Sequence, residues 1–342
     1  MKLSIIILCW NDLKVIADCL KSIFEETRQI EFEVIVSDNG SADGSVEFIR
    51  AHFPSVRIVE NRANIGFAKG NNAGIRVALG EYVLILNPDT IIRNGALQRL
   101  VAFADQRPET GAFGCRVVNP DGSFQNPARP LPTVWGGFLA ALCVRWPGRV
   151  SKRFATDLYP GWDGRSVRPI GFQSGCCVMF RGDLLKRLGG FDEQFFYHFE
   201  ETDLCARVWK LGFSVLYYPG AEIMHLGGQS VGRFPIRFAL ETYRSGYRFF
   251  YKHYGRDGVM RIRWVYLLNL YVRRIGYSIL SLVQPSERVR NRLAMYAVAI
   301  KWHRHLKPLQ FIQTGQEPDV GYEPLASPPL SNAGGIVTAS GR

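Results

Sequence analysis

Residues 199–203 place three carboxylates, Glu200, Glu201 and Asp203, at the point where an apolar stretch becomes an amphipathic pattern. A carboxylate positioned beside a substrate hydroxyl group can accept its proton and so act as a general base. Acidic residues in the first turn of a helix are also stabilised by the helix dipole. Residue type alone therefore leaves both a catalytic and a helix-terminal role open for all three.

Helical periodicity separates the three carboxylates. At about 100° per residue, Asp203 lies one turn from Arg207, and an i,i+4 ion pair accounts for it without catalysis. Glu200 and Glu201 flank the apolar stripe of the helix, so that both can point toward the protein. That stripe consists of Leu204, Val208 and Leu211. The spacing does not choose between the two glutamates.

A second candidate follows the most hydrophobic predicted strand, at Asn87-Pro88-Asp89-Thr90. Because proline cannot continue a central strand, we expect Asp89 to emerge at the rim of the sheet. A carboxylate there could bind Mg²⁺ or Mn²⁺, which prefer oxygen ligands and are shared with substrate phosphates, or it could cap the next turn. His225, after a β-rich stretch, is either an additional metal ligand or a structural histidine.

Polar loops also follow the second and third predicted strands, at residues 38–41 and 64–68. Their Asp and Asn side chains can hydrogen-bond a nucleobase or a ribose, and Gly66 would let backbone N–H groups approach a phosphate at a helix start. The same residue types form turns and N-caps, which is the favoured interpretation of either loop taken singly. Their occurrence on one rim, together with Asp89, favours ligand binding.

The elements that must position these residues follow from the apolar pattern. In the first ninety residues, apolar runs at 3–9, 31–38, 56–61 and 81–87 alternate with amphipathic segments. Strands that are apolar without alternation indicate a parallel sheet covered on both faces, and ligands of such sheets bind beyond the carboxyl ends of the strands. A second block from residue 170 contains a strand at 174–180 and the helix that starts at Glu200 and stops at Gly212.

Composition places the chain among soluble globular proteins. It has 342 residues, of which 47% are hydrophobic and 21% charged, enough for one large domain or two smaller ones. The seven cysteines form no CxxC pair and are odd in number, which argues against a disulfide framework or zinc site and for a reducing compartment. The apolar N-terminal run is interpreted as a buried strand, because it lacks the cleavage site of a signal peptide.

The positive charge belongs to one segment. Residues 233–307 hold 16 of the 42 basic residues but only three of the 30 acidic ones. Within them, residues 264–283 are nearly apolar enough to span a membrane, but Asn269, Arg273 and Arg274 near the centre are costly there. We expect a basic helix lying in an anionic membrane interface; the alternative is a helical packing layer or a homo-oligomer interface. The apolar residues 134–144 are too few to span a bilayer and could contribute to the same surface.

Seven segments in this order carry a family resemblance: SIIILCWND, VIVSDNGSADGS, ENRANIGFAKGNNAGI, LILNPDT, SGCCVMFRGDLLKRLGGFDEQFF, FEETDLCARVWKLGF and HLGGQS. From Leu3 to Gly232 the chain resembles the family 2 inverting glycosyltransferases of GT-A fold, especially their bacterial rhamnosyltransferase-like branch. This implies an α/β fold with a mostly parallel, Rossmann-like sheet flanked by helices, followed by a C-terminal basic helical extension.

The resemblance and the composition together divide the chain into four parts. Residues 1–118 would form the nucleotide-sugar-binding half of the GT-A domain, and 119–232 its acceptor-binding and catalytic half. Residues 233–312 would form the basic amphipathic membrane-associating region. Residues 313–342 are polar with many Pro and Gly, which predicts a disordered tail.

The resemblance also implies roles for the rim residues. Asp38 would contact the donor nucleobase, and the loop of Cys9, Trp10 and Asn11 its nucleoside. The turn from Asn64 through Gly66 and Phe67 to Ala68 would lie against ribose and phosphate. Asn87 and Asp89 match the DxD-type motif, with Asn87 in place of the first Asp, so that Asp89 would be the metal-binding carboxylate. His225 matches a position where some relatives place a metal-ligating His.

For catalysis, Glu200 and Glu201 match the Glu-Asp pair of the family, whose second member is the general base. Glu201 would therefore be the base, with Glu in place of Asp; Glu200 is the alternative, and Asp203 would support them. The reaction would be direct displacement at the anomeric carbon, with a bound Mg²⁺ or Mn²⁺ offsetting charge on the departing diphosphate. The acid cluster and Asp89 would then form opposite walls of one site.

The resulting hypothesis is an inverting, metal-dependent hexosyltransferase on the cytoplasmic face of a bacterial membrane, bound peripherally. It would move L-rhamnose from dTDP-rhamnose to a lipid-linked saccharide in cell-envelope polysaccharide synthesis. The alternatives are another donor, linked to UDP or GDP, and a non-catalytic sugar-nucleotide-binding relative. A dinucleotide oxidoreductase is disfavoured because CWND stands where GxGxxG belongs, and nucleic-acid binding would leave the acidic rim unexplained.

Overall fold

The computed structural model describes residues 1–142, 159, 161–227 and 235–320. The strands are β1 Leu3–Cys9, β2 Phe32–Asp38, β3 Arg57–Glu60, β4 Tyr82–Leu86, β5 Thr90–Ile92, β6 Thr110–Val118, β7 Ala128–Arg129, β8 Arg168–Pro169, β9 Phe172–Gln173, β10 Cys177–Arg181 and β11 Ser214–His225. The helices are α1 Leu13–Glu26, α2 Ser45–His52, α3 Phe67–Ile75, α4 Ala96–Asp105, α5 Val134–Ala141, α6 Gly182–Arg187, α7 Glu200–Lys210, α8 Pro235–Val283, α9 Glu287–His305 and α10 Pro308–Thr314.

The first four strands form the predicted parallel sheet, in the order β3-β2-β1-β4. Alternate residues of β1 enter two hydrophobic cores: Ile5 and Ile7 join one, and Ile6 joins the other. A strand buried on both faces has no polar position to alternate with, and for this reason the periodicity of the apolar runs predicted these elements correctly.

The second block completes the same sheet instead of forming a separate one. Within the described residues the sheet has nine strands, in the order β3-β2-β1-β4-β10-β6-β11-β5, with β8 beside β11. β10 runs antiparallel between β4 and β6, so a strand from beyond residue 119 separates two strands from before it. The predicted halves, 1–118 and 119–232, therefore share one sheet, and β7 and β9 form a small second sheet.

Helix α7 begins and ends as predicted, but its faces differ from the expected ones. Gly212 has a φ of +86° and terminates it in the left-handed conformation. Leu204 and Val208 are fully buried, whereas Leu211 at the helix end is 39% exposed. Asp203, away from the apolar stripe, is nevertheless completely buried, because Lys252 and His253 of the C-terminal extension contact its carboxylate.

The C-terminal extension is helical, as predicted, and it packs on the sheet domain. It has its own hydrophobic core, which includes Phe249 and Trp302 and is shared with Phe195 and Ala206 of the preceding block. Helix α8 is kinked at Gly255, where φ is +69°. The packing-layer alternative is thus realised for the inner faces of these helices.

The outer face of the second half of α8 is apolar and exposed. Its side chains recur at helical spacing: Met260, Trp264, Tyr271, Ile275, Ile279 and Leu282. Trp264 is 69% exposed and Leu282 is 85% exposed. No helix among the residues described is long and apolar enough to cross a membrane.

Residues 313–320, predicted to belong to a disordered tail, make specific contacts with the C-terminal helices. Thr314 closes α10, and Glu317 accepts hydrogen bonds from Arg244 at 2.6 and 2.7 Å and from Trp302 Nε1 at 3.0 Å. These contacts tie the Glu317 carboxylate to a buried guanidinium. Residues 321–342 lie outside the described part, as do residues 143 and 144 of the apolar segment that forms α5.

Candidate active site

The carboxyl ends of β1 and β2 meet at one rim, as the parallel register requires: Cys9 pairs with Asp38. The Asp38 carboxylate is 4% exposed and accepts N–H bonds from Gly40 at 2.9 Å and Ser41 at 3.1 Å. Asp38 thus shapes its own turn. A carboxylate has about four acceptor positions, so these bonds leave it capacity for a donor group of a ligand.

The loop after β1 is joined to the loop after β2. Asn11 adopts a φ of +57°, and its N–H donates to Ser41 Oγ at 2.9 Å while its Oδ1 accepts from Ala42 N–H at 2.8 Å. The N–H of Trp10 donates to Asp12 at 2.8 Å. Cys9 is fully buried, and burial raises the pKa of its thiol to about 12, so the thiol stays neutral.

Asn39 connects the second loop to the third. Its Oδ1 accepts from Asn61 at 3.0 Å, and its Nδ2 donates to Asn64 at 3.4 Å and to the Gly66 carbonyl at 3.2 Å. This role of Asn39 could not be predicted, because a side chain that bonds two distant loops leaves no local pattern in the sequence. The predicted convergence of polar loops on one rim is confirmed by these contacts.

The turn at 64–68 differs from the expected phosphate cradle. The Gly66 N–H donates to Asn64 Oδ1 at 3.1 Å, and the Phe67 N–H donates to the Phe196 carbonyl at 2.8 Å. A Cβ on Gly66 would come within 2.8 Å of the Phe196 ring, at a φ of +89°. Two N–H groups expected to face a phosphate are therefore used within the protein, and Gly66 is required for close contact with Phe196. Ala68 is buried at the start of α3.

Asp89 and His225 lie together, although 136 positions separate them in the sequence. Pairing of β11 with β5 aligns His225 with Thr90, which brings its Nε2 to 3.2 Å from Asp89 Oδ1. The other oxygen of Asp89 accepts the Gly227 N–H at 3.1 Å. Asn87 lies beside them, with its Nδ2 at 3.4 Å from His225 Nε2.

Gln125 fixes the orientation of the His225 ring. Its Oε1 lies 2.7 Å from His225 Nδ1, and an amide oxygen can only accept, so Nδ1 carries the proton. The lone pair of Nε2 then points to the side of Asp89. A second partner that sets the tautomer is the usual support of a metal-ligating histidine.

The pair fits a hard divalent cation. Mg²⁺ holds its octahedral ligands at about 2.1 Å, which places neighbouring ligand atoms about 3 Å apart, close to the separation of Asp89 Oδ1 and His225 Nε2. Carboxylate oxygen and neutral imidazole nitrogen both suit Mn²⁺ or Mg²⁺. No group of three or more His, Cys, Asp or Glu side chains in the described ranges could hold a metal by itself. Such ions are often bound by one or two protein groups and the phosphates of a substrate.

Glu201 is held by the loop before β10. Its Oε1 accepts the Gly175 N–H at 3.2 Å, while its Oε2 is buried and has no hydrogen-bond partner. Burial raises the pKa of Glu201 above the ordinary value for Glu, against the lowering effect of the Gly175 bond. A carboxylate with one anchored and one unpaired oxygen can receive a proton without losing its position.

Glu200 is the more buried glutamate, at 3% exposure, and its Oε2 also has no partner. Burial, and then the neighbouring Glu201 charge, raise the pKa of Glu200 well above its ordinary value. Two adjacent acids that both resist ionisation are the arrangement in which one can be protonated while the other remains a base.

Asp203 has a different environment. Its carboxylate lies 2.7 Å from Arg207 Nε, 3.0 Å from Lys252 Nζ and 2.8 Å from His253 Nε2. Although burial raises the pKa of Asp203, the His253 hydrogen bond and the Arg207 and Lys252 charges hold it below the ordinary value. The predicted ion pair with Arg207 is confirmed, and Asp203 joins α7 to α8.

The backbone before α7 is strained. His198 and Phe199 have φ values of +64° and +71°, a region that residues other than glycine rarely adopt. Tyr197, just before them, is anchored by its carbonyl, which accepts from Ser245 Oγ of α8 at 2.8 Å. Such strain persists only where surrounding structure enforces it, and it clusters at functional sites. Here it turns the chain directly into Glu200.

One short loop connects the two parts of the site. The Cys176 carbonyl accepts the Asn87 N–H at 3.1 Å, one residue after the Gly175 N–H that holds Glu201. A Cβ on Gly175 would lie 3.0 Å from the Phe67 ring of the third polar loop. Residues 174–176 thus contact Asn87, which is next to Asp89, as well as the base candidate Glu201 and Phe67 of the turn at 64–68. The role of Gly175 could not be predicted, because neither its spacing nor its residue type indicates these contacts.

Known proteins resemble this chain over much of its length. The model of the glycosyl transferase family 2 domain matches residues 4–189. The chain is 31% identical over 253 residues, 70% of its length, to 81% of the N-acetylglucosaminyl-diphospho-decaprenol L-rhamnosyltransferase of Mycobacterium tuberculosis. It is 28% identical over 229 residues, 66% of its length, to 17% of the O-antigen biosynthesis protein RfbC of Myxococcus xanthus.

Among solved structures, a mannosyltransferase from Pyrobaculum calidifontis, in complex with GDP-Man and Mn²⁺, superposes with a TM-score of 0.55 and 16% identity. The match covers 92% of this chain and 88% of that protein, and it shows a shared fold. Because the family model spans more than half of the chain and the mycobacterial relative matches over most of its own length, this protein belongs to glycosyltransferase family 2, with a GT-A fold and the activity of a hexosyltransferase.

Proposed function

We propose that the protein is an inverting glycosyltransferase that moves L-rhamnose from dTDP-rhamnose to a lipid-linked saccharide, with Glu201 as the general base. The observation that carries the catalytic part is the loop 174–176. It holds Glu201 through Gly175 and holds Asn87, next to Asp89, through Cys176. A single displacement between acceptor and donor requires the proton acceptor and the residues at the donor phosphates to hold fixed relative positions, and this loop contacts Glu201 on one side and Asn87 on the other.

In this reaction the acceptor hydroxyl group attacks the anomeric carbon as the nucleoside diphosphate departs. The hydroxyl oxygen forms the new glycosidic bond, its proton passes to Glu201 Oε2, and the bond to the diphosphate breaks on the opposite face. Glu201 Oε1 remains on the Gly175 N–H, so the base keeps its position. Attack from the face opposite the leaving group predicts inversion at the anomeric carbon.

Asp89 and His225 would hold Mg²⁺ or Mn²⁺ between them and the donor diphosphate. A bound divalent cation supplies positive charge against the charge that grows on the departing diphosphate. Gln125 keeps the His225 ring in the tautomer that can bind it. Asp38 would accept a hydrogen bond from the nucleobase with the acceptor capacity that its own turn leaves.

The donor and acceptor rest on the mycobacterial relative, whose name states an L-rhamnosyltransferase that acts on N-acetylglucosaminyl-diphospho-decaprenol. We extend both substrate classes to this chain: a deoxyhexose nucleotide and a sugar diphosphate on a long isoprenoid. The second name, an O-antigen biosynthesis protein, supports a role in cell-envelope polysaccharide synthesis.

The exposed face of α8 supports a location on a membrane. Trp264, Ile275 and Ile279 are each at least 60% exposed, on a helix that also carries exposed arginines. Aromatic and aliphatic residues beside arginine suit the headgroup boundary of anionic lipid. The site would thus work peripherally at the cytoplasmic face, where nucleotide sugars are available.

A donor panel tests the proposal. The full chain is incubated with dTDP-rhamnose, UDP-glucose, UDP-N-acetylglucosamine or GDP-mannose, with Mn²⁺, Mg²⁺ or EDTA, and release of the nucleoside diphosphate is measured. We expect release from dTDP-rhamnose that EDTA abolishes, and faster release with a prenyl-diphospho-N-acetylglucosamine acceptor. Turnover of a UDP or GDP sugar in place of dTDP-rhamnose would refute the rhamnosyl assignment.

A further inference from the structure

An apolar groove of about 560 Å³ lies beside the candidate active site, between α5 and the kinked helix α8. Its volume is in the range of sites that bind small ligands. The wall on α8 is formed by Ile262, Val265, Tyr266 and Asn269, which recur at i, i+3, i+4 and i+7 and so share one helix face. The opposite wall is formed by α5 and the loop before it.

The side chains of the groove are aromatic or aliphatic over most of its surface. Trp135 at one end is 51% exposed, and its ring stacks on Phe138 at 5.6 Å between centroids. The loop before α5 is fixed to α8 by the Tyr254 hydroxyl, which donates to the Pro132 carbonyl at 2.8 Å. Trp135 and this loop therefore form a preformed, partly open mouth.

At its inner end the groove is lined by sequence neighbours of the residues that form the candidate active site. Phe199, which lines it, directly precedes Glu200. Phe172, which also lines it, stands three residues before Gly175, whose N–H holds Glu201. The groove wall therefore includes both an exposed tryptophan and residues next to those that would receive the acceptor hydroxyl.

Arg129 brings positive charge to the same inner end. It pairs with Phe172 between β7 and β9 and lines the groove, while its Nη1 donates to the carbonyl of Asn126 at 2.7 Å. A guanidinium at the end of an apolar channel attracts a phosphate carried by an apolar chain. The groove lining thus combines an apolar wall with a cation.

We propose that this groove binds the first isoprene units of the acceptor's lipid chain, with the acceptor diphosphate at Arg129 and its sugar at Glu201. This assignment rests on the proposed function, because it takes the acceptor to be a lipid-linked saccharide. This assignment places the isoprenoid on the inner face of α8, opposite the exposed face proposed above as the membrane contact. The groove then selects acceptors by their lipid and not only by their sugar.

Binding of tritiated farnesyl phosphate to the full chain, measured by equilibrium dialysis below its aggregation concentration, tests the groove without requiring turnover. Ala140→Phe fills the groove from α5, and Trp135→Glu puts a charge at its exposed mouth, where folding is least affected. We expect each to weaken binding at least tenfold. The matched controls are Ala294→Phe, exposed on α9, and Trp264→Glu, on the outer face of α8; both should bind as the unaltered protein does.

Several results would overturn the assignment. The first is that farnesyl phosphate does not bind to the unaltered chain, as expected if another part of the chain fills the groove. The second is that Trp264→Glu weakens binding as much as the groove variants do. The third is that inorganic phosphate alone displaces the probe. Failure of the two proposals can be told apart. A chain that transfers sugar but does not bind farnesyl phosphate refutes only the groove, whereas one that binds it but turns over no nucleotide sugar refutes only the proposed function.

Discussion

Replacement of Glu201 by Gln separates a catalytic carboxylate from a structural one. The amide keeps an oxygen that can accept the Gly175 N–H at 3.2 Å, so the loop 174–176 and the substrate pocket should be retained. It cannot accept a proton. General-base catalysis contributes about 10²–10⁴ in rate, which corresponds to about 3–5 kcal/mol of activation free energy. We expect kcat for transfer to fall by that factor, with the KM for the donor nearly unchanged.

The same substitution should stabilise the fold. The Oε2 of Glu201 is buried without a partner, and burial raises the pKa of the group. A carboxyl with a raised folded-state pKa stabilises the fold fully below its unfolded pKa, and that contribution is lost as pH rises through the folded value. At neutral pH the ionised group is therefore destabilising, and its replacement by a neutral amide should raise the free energy of unfolding, offset in part by the cost of the unpaired amide N–H groups.

Two measurements on one protein test this reasoning. Initial rates of transfer as a function of pH should show an acidic limb in the unaltered enzyme, since the base must be ionised, and urea denaturation should give a higher midpoint for Glu201→Gln. Glu200→Gln is the matched control, expected to gain stability with a smaller loss of rate. A Glu201→Gln enzyme with a near-normal rate would refute Glu201 as the base, and one that is less stable than the unaltered protein would refute the expected effect of burial.

Three further substitutions test the surroundings of the base. Gln125→Ala frees the His225 ring, and we expect the affinity for Mn²⁺ to fall 10–100-fold, measured by Mn²⁺ titration of donor hydrolysis. Gln125→Glu, which retains an acceptor for Nδ1–H, is the control. Equal Mn²⁺ affinity in the unaltered protein and both variants would contradict the proposed tautomer. Asp203→Ala removes the carboxylate that joins α7 to α8, but Arg207 keeps the carbonyls of Leu188 and Gly190, and Lys252 keeps Asp192. We therefore expect a loss of about 1–3 kcal/mol of unfolding free energy. Because the pKa of Asp203 is lowered, its contribution is present at neutral pH and lost as pH falls through the folded value, so the difference between the variant and the unaltered protein in urea should shrink in acid. Gly66→Ala forces a Cβ to 2.8 Å from Phe196 and should raise the donor KM with little change in kcat, and Gly122→Ala, also at positive φ but in open space, should leave KM unchanged.

The parallel part of the sheet could be predicted because each of its strands carries a local signature. Ile5, Ile6 and Ile7 are apolar in succession, and only a strand covered on both faces accommodates such a run. The ion pair of Asp203 with Arg207 was predictable for a similar reason, since helical spacing alone brings i and i+4 together. The polar residues after each strand were predictable as a rim because parallel strands end on the same side.

What the sequence could not determine depends on contacts between distant segments. Tertiary packing decides three such features: the insertion of β10 between β4 and β6, the burial of Asp203 under Lys252 and His253, and the hydrogen bonds of Arg244 to Glu317.

The sequence by itself determined the element types, the rim and the candidate acids, because these follow from local periodicity and residue type. Only the tertiary structure decided which residues meet. It placed Gln125 on His225, closed the Gly66 turn on Phe196, and left one oxygen of Glu201 unpaired while Gly175 holds the other. The physical reason is that burial and hydrogen-bond pairing, which set the protonation state of a carboxylate, belong to the packed environment and not to the residue.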